Sequence, residues 1–537
     1  MNKPSFSGVA LSTCAAAFLP FFFTAHSASA QTPVNPIWTG SGATNNWSDS
    51  ANWQNASQPQ PANASTVIHF AGSTSMAPNN QYAPMTLEGQ VLFDSGAGSF
   101  TLAGNGLTLS SKIENDSSVL QTYNMSGLTL APKKGTVAAL NPMTGDLTIN
   151  TPGSFITLAK NAELDVFGSH DLTLNAAIQD GANSVGKFVV RGPATVIFNG
   201  ANTYTGGTIV DNGSLQFGST GSAAGVLRLG DTTGSNDASL YLIPDAGGKT
   251  ISNNINVRTG SSGTMTIGGL NTSGTNTYSG TVTLNRSVNL TAASGGTVSF
   301  NTITASSTQT ATITGGGTVQ FTGSTDNASV GATVNSGTLL LAKASSNSVH
   351  AVGSGLTVNN GGTVMLGGTG GDQIYKNSFV TINNGGTFKT AGLSEGSSTA
   401  GSTPGMGLLT LQGGATIDFA TGANGSTLSA LSGVLVGSST ISILNWTGTG
   451  FVDNGLATND RLLFQNDPGF TAAQLAQFQF YNDSGSLVGS GAMEIAMNGW
   501  TELVAVPEAS TWVSAALSSV AVLVLSRKRV LLRRRRA

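Results

Sequence analysis

Two stretches, "LTVNNGGTVMLGG" at Leu356–Gly368 and "VTINNGGTFKTAG" at Val380–Gly392, decide how this chain is read. Each sets alternating apolar and polar residues before an Asn/Gly corner and a second alternating run after it. Gly362 and Gly386 mark equivalent points 24 residues apart; Gly337 lies 25 before the first and Gly414 lies 28 after the second. Alternation with period two is the pattern of half-buried strands. Asn and Gly supply positive φ at a corner with little steric cost. One such strand–corner–strand module leaves an apolar face and both strand edges open, and stacking modules closes them. The expected fold is all-β, an elongated parallel β-solenoid of the right-handed β-helix kind. About fourteen coils of this period would stack about 4.8 Å apart. Thr, Asn and Ser at equivalent positions are expected to form ladders. Leu340 is read as a buried strand residue and Thr387 as an exposed one. A β-sandwich array is the structural alternative, although its modules are longer and self-contained.

Composition agrees with an ordered β chain. Charged residues are 9% and Gly is 71 of 537. Such poverty of charge with so much Gly suits either a disordered tract or a ladder-rich solenoid. Val, Ile, Thr, Leu and Phe recur throughout, which favours the solenoid.

The two ends read differently from the body. Met1–Ala30 has Lys3, an apolar run ending in "FLPFFFTA", and Ala28 and Ala30 at the small positions of an A-x-A site. This is the pattern of a secretory signal peptide cut after Ala30, so Sec-type export machinery is an expected partner. The one cysteine, Cys14, falls inside it. A mature chain without cysteine has no disulfide and no thiol chemistry. At the other end, Ala509–Leu525 carries no charge and approaches the length of a membrane span. Arg527, Lys528, Arg529, Arg533, Arg534, Arg535 and Arg536 follow, a basic cluster expected to stay cytoplasmic. Between the two ends, 14 basic residues face 24 acidic ones, a net charge near −10. Nucleic acid is therefore not an expected partner, because its phosphates require basic contacts.

Two resemblances add to this reading. Pro507 and Glu508, "STW" at Ser510–Trp512, the apolar span and the Arg-rich end resemble a PEP-CTERM sorting tail. The third motif position departs, with Ala509 where Pro is usual. The resemblance implies recognition by an exosortase-like processing protease after transient anchoring in the inner membrane of an exopolysaccharide-producing bacterium. A simple membrane anchor is the alternative. "NTYTGGTIVDNGSLQFG" at Asn202–Gly218 resembles the passenger-associated transport repeat, also called the autotransporter-associated β-strand repeat. Asn202, Thr203, Tyr204, Gly206, Gly207, Val210, Asn212, Gly213 and Leu215 carry the match. The resemblance implies that the phrase is one coil of a solenoid and that Tyr204 packs in it. "NTYSGTVTL" at Asn276 is a weaker copy. The apolar span and basic end are not a translocator barrel, so self-translocation is not implied.

The expected layout is a signal peptide over 1–30, a cap and first coils over 31–100, and solenoid repeats over 101–430. The distal solenoid end follows over 431–505, then the sorting tail over 506–537. Trp38, Trp47 and Trp53 would seal the first coil, with a carbohydrate-stacking platform as the alternative. Thr471 would cap a short helix with Leu475 and Phe478 on one face.

No catalytic, cofactor-binding or metal-binding residue is expected. His69, His170 and His350 lack metal-site spacing. "AGGKT" at Ala246–Thr250 lacks the earlier Gly of a phosphate loop. The expected function is a structural or adhesive protein of the bacterial cell surface or extracellular matrix, associated with exopolysaccharide and not an enzyme. The alternative is a polysaccharide lyase or glycoside hydrolase using a pair among Glu163, Asp165, Asp171 and Asp418.

Overall fold

A computed structural model describes residues 35–59, 67–243, 248–397, 399, 402–421, 425–454, 458–497 and 499–507. The signal peptide with Ala28 and Ala30 lies outside the described residues. So do Glu508, the apolar span and the basic cluster. Among the described residues no helix is long and apolar enough to cross a membrane.

The body is a parallel β-solenoid of about 15 turns with almost no helix. Two long parallel sheets run its length, and a third, 5-stranded sheet covers a third side of the early coils only. Strand–corner–strand modules therefore hold for the later coils. Earlier coils contain three strands each, which the two-strand reading missed. Those third-sheet strands are Met85–Leu87, Leu107–Leu109, Leu128–Leu130, Ile156–Leu158 and Ile178–Asp180. The first four share a Thr between two apolar residues. Their pairing is in register, with Thr86, Thr108, Thr129 and Thr157 in one outward row. The flanking Leu, Ile and Met side chains point inward and are buried.

The expected ladders are present. On one long sheet a polar row runs in register from Thr195 through Ser214, Ser239, Thr266 and Asn289 to Thr312, Thr333, Thr357, Thr381 and Thr410. On the other, Thr275, Thr297, Thr318, Thr338, Thr363, Thr387 and Thr416 align. Thr387 is half-buried within that row. At a corner, Asn175 donates to Asn150 and Asn199 to Asn175, both at 2.8 Å. The same ladder recurs at Asn335, Asn359 and Asn383. Leu340 corrects its reading: the pleat turns Leu339 and Leu341 into the core and leaves Leu340 half-exposed in the outward row with Gln320 and Met365.

Both ends are closed. Trp38, Trp47 and Trp53 are buried, with edge-to-face ring pairs at 5.0 and 5.9 Å, and all three pack on Phe70. At the far end, antiparallel strands Leu487–Ser490, Ala492–Met497 and Trp500–Ala505 replace further parallel coils. Antiparallel closure stops a solenoid edge from templating another chain. Thr471 caps Ala472–Leu475 through a capping box with Gln474. Phe478 does not share that helix; it opens the strand Phe478–Tyr481.

Candidate functional site

The change from three sheets to two is where side chains depart most from simple stacking. The last third-sheet strand, Ile178–Asp180, has no strand above it. Its edge is instead covered by Asn202–Thr205. The Asn202 amide oxygen accepts from the Ile178 N–H at 2.7 Å, and the Thr203 N–H donates to the Ile178 carbonyl at 2.8 Å. Thr205 donates its N–H and its hydroxyl to Asp180 at 3.0 and 2.6 Å. One side chain thus supplies the ladder bond that a further strand would have made, and a buried edge N–H is not left unpaired. The same Asn202 amide donates upward to the Ser222 carbonyl at 2.7 Å.

Around it the coil shrinks. Val196 follows its neighbour Leu172 by 24 residues, whereas Leu215 follows Val196 by only 19. Phe188, Phe198 and Phe217 fill the reshaped core, with ring centroids 4.9 and 5.9 Å apart. Tyr204 is fully buried beside them and bonds the Thr208 hydroxyl, and burial holds its phenol well above the ordinary range. Gly206 brings its backbone against Gly186, where a Cβ would stand 2.5 Å from the carbonyl oxygen. Gly213 turns the Asn212–Gly213 corner at φ +77 with a Cβ position 2.5 Å from the Ala194 oxygen. Asn276 repeats the clamp one stage later, accepting from the Lys249 N–H at 2.7 Å beside a buried Tyr278.

A charged cluster sits on the outer face of the first long sheet at this level. Arg191 bonds Asp165 at 2.7 Å, Asp211 at 2.9 Å, and Glu163. Lys187 pairs with Glu163 at 2.6 Å and Arg258 with Asp211 at 2.8 Å. Burial pushes Asp165 up to about 6 despite the Arg191 bond, and its second oxygen is buried without a partner. Burial also opposes the charge on Glu163, but the Lys187 and Arg191 bonds outweigh it and its carboxyl is held low. The structure therefore gathers Glu163 and Asp165 on one guanidinium. It leaves Asp171 exposed, before the strand Leu172–Leu174, and Asp418 far along the solenoid against Lys389 at 3.2 Å.

The corner loop between Leu227–Leu229 and Ala238–Leu242 separates two open cavities. One, of about 430 Å³, holds Arg191, Asp211, Asp231 and Arg258. The other, of about 600 Å³, is lined by Asn212, Asn236, Asp237, Ser239, Tyr241 and Thr266 among others. Sequence reasoning missed this second groove, because its members come from successive coils and only Asn212 and Gly213 stand in a motif.

The three histidines stay apart. His69 meets Asp94 at 2.8 Å, His170 meets the Met143 carbonyl at 3.2 Å, and His350 lies between Asp326 and Asp372 at 3.2 and 3.7 Å. Among the described residues no group of three His, Cys, Asp or Glu side chains gathers to hold a metal ion. Pro507 sits beside Gly450 at the distal end.

The Passenger-associated-transport-repeat family model matches residues 188–217. That span is the coil of the sheet transition, from the strand Lys187–Val190 to the end of Gly213–Phe217. Its repeat motif, Asn202, Tyr204, Gly206, Gly207, Asn212 and Gly213, thus supplies an edge clamp, a core ring and tight corners. No curated protein and no solved structure matches the chain. The repeat family and the solenoid are compatible with a surface-exposed repeat protein.

Proposed function

We propose that this chain is an exported bacterial protein of the cell surface or extracellular matrix, a structural and adhesive rod associated with exopolysaccharide. The observation that carries the reading is a solenoid of about 15 turns, closed at both ends and lined with polar ladders. Such a body offers long repetitive faces rather than one enclosed chemical site. The parallel crossovers favour right-handed winding. The tail beginning at Pro507 supports sorting by an exosortase-like protease after Sec-type export and transient inner-membrane anchoring, with Glu508 and the Arg-rich end as its recognition and topology elements. Nucleic acid has no place in this reading, given the acidic body.

Catalysis is left out because, of the four acidic candidates, the two brought together, Glu163 and Asp165, are committed to Arg191 and Lys187. A lyase or hydrolase reading would need one of them free to exchange a proton with substrate.

The test is protease shaving of intact cells, followed by blots with antibodies to the body and to the tail. The body should be removed from intact cells, and its surface share should drop sharply when Pro507 and Glu508 are both changed to Ala. A body found only in the cytosol would overturn the export reading. An unchanged distribution of the Pro507→Ala/Glu508→Ala variant would reduce the tail to a plain anchor.

A further inference from the structure

We infer that the 600 Å³ groove beside the sheet transition binds a neutral glycan chain, with Tyr241 as its stacking platform. The inference rests on the surface reading above and names the ligand class for one place on the rod. Four features carry it.

The first is an aromatic ring on an otherwise polar face. Tyr241 points outward from the strand Ala238–Leu242 and is half-buried, its register neighbours being Gln216 and Gly268. Gly268 sets no side chain beside the ring on the next rung, where Thr291 of the following strand closes over the glycine. A flat ring that is half-exposed in the groove wall suits the CH face of a sugar, since an aromatic side chain joins an apolar body to a polar tip. Ser239, two residues earlier on the same outward face, donates to the Gly213 carbonyl at 3.4 Å and lines the groove beside the ring.

The second is the spacing of polar groups. Ser239 and Thr266 are register partners on adjacent strands, so their outward side chains lie about 4.8 Å apart. Asn212 and Asn236 reach the same groove from successive corners. Their donors and acceptors can meet hydroxyls of consecutive sugar rings, and the groove lies within the usual range for ligand sites of about 300–1,000 Å³.

The third is Asp237. One oxygen accepts from the Thr264 N–H at 2.6 Å, which holds the carboxylate in place, and the other makes no bond among the described residues. A fixed, exposed carboxylate accepts well from a sugar hydroxyl pair.

The fourth is the charge balance. Asp237 is the one charged residue lining this groove, whereas the arginines line the other cavity across the loop. Arg191 and Arg258 are already paired with Asp211. A uronate or sulfated glycan would bring negative charge against Asp237 with no cation to meet it. The groove therefore selects neutral chains.

The test is affinity electrophoresis of the full chain through gels holding a neutral galactomannan, a neutral dextran or the acidic alginate. Retardation is expected in at least one neutral gel and not in alginate. Tyr241→Ala should weaken it about tenfold, the scale of one lost stacking and contact site. Tyr241→Phe should retain most of it, and Thr363→Ala, on the opposite sheet, should change nothing. Because Tyr241 points outward, circular dichroism should show each variant folded; Asp237→Ala, a corner change, gives a second reading and should also weaken retention. No retardation in either neutral gel, equal retardation of Tyr241→Ala, or stronger retardation in alginate would overturn the inference. Surface shaving is independent of these gels, so a rod at the surface without this site is distinguishable from a site on a chain that is not exported.

Discussion

The coils before Asp180 and the coils after Asn202 use the same short phrases, yet they close around different cross-sections. Early coils set three strands of about three residues around a triangular core. Later coils set two longer strands face to face, as in Val330–Val334 and Gly337–Leu341. Where a side is lost, strands lengthen, because two sheets must cover the core that three short ones shared. The Asn202 coil makes the change possible. Its amide satisfies the last edge of the third sheet, and its phenylalanines fill the altered interior. A repeat whose match spans one coil is thus a seam between two versions of the fold.

If both halves are held by the same inward rows, an inward charge should be severe in either. Leu339→Asp in the two-sheet half and Leu164→Asp in the three-sheet half should each cost ~4 kcal/mol, because a buried carboxylate lacks a partner. Leu340→Asp, one residue away and half-exposed, should cost less than about 1 kcal/mol. Urea unfolding measures all three. A Leu340→Asp loss equal to that of Leu339→Asp would refute the pleat assignment.

The halves should also respond to different pH windows. Burial raises the folded-state pKa of Asp165 to about 6, the Arg191 bond offsetting it only in part and the Glu163 charge adding to it, so its neutral form is favoured in the fold. Its contribution is full below the unfolded value of 3.8 and is lost as pH rises to about 6. Asp165→Asn should remove that loss, narrowing the wild-type difference between pH 4 and pH 6 by about 2 kcal/mol. In the two-sheet half, burial opposes the charge on His350, but Asp372 and Asp326 outweigh it and its pKa is raised. That contribution is full below 6.5 and is lost as pH rises through the higher folded value. Hydrogen exchange should therefore loosen the three-sheet coils first and the His350 coils at higher pH. The reverse order would break the assignment.

The seam itself should be intermediate in cost. Asn202→Ala leaves the buried Ile178 N–H unpaired and should destabilise by about 1–3 kcal/mol. Exchange protection should be lost first at Ile178–Asp180, with the coils beyond Asn276 unaffected. Uniform loss along the rod would show that the two halves unfold as one unit.

These effects also show what the sequence made legible. The Asn/Gly corners and the 24–28-residue period announced a solenoid, and the Thr-rich alternation announced its ladders. Two things were hidden. The phrase Leu-Thr-Leu looks the same on any sheet, so the number of sides per coil is set by corner lengths that carry no distinct pattern. Leu340 shows the other limit. In "GTLLL" three consecutive leucines erase the alternation, and only the pairing with Val364 and Met365 fixes which of them face inward. The grooves beside Asn236 were illegible for a related reason, since their residues come together by stacking rather than by spacing.

The smallest expected effect is the most direct comparison of the halves, because one device occurs in both. Asn175 is the middle rung of a three-member amide ladder in the three-sheet coils, and Asn359 holds the same place in the two-sheet coils. Each donates to the rung below and accepts from the rung above. Each follows the inward residues of a strand on the same long sheet. Replacing either with Ala removes two amide bonds at the surface, where water can take up the freed groups. A net bond is worth about 0.5–1.5 kcal/mol, and solvent access brings the sum for each variant to about 1 kcal/mol or less. Asn175 is the more exposed of the two, so its loss should be no larger than that of Asn359. Paired urea titrations of Asn175→Ala and Asn359→Ala decide the point. Near-equal small losses would mean that this corner is indifferent to the number of sheets behind it. A loss at Asn175 several times that at Asn359 would mean that the narrower three-residue strands depend on their corner amides, and the seam at Asn202 would then mark a change in what holds the rod together as well as in its shape.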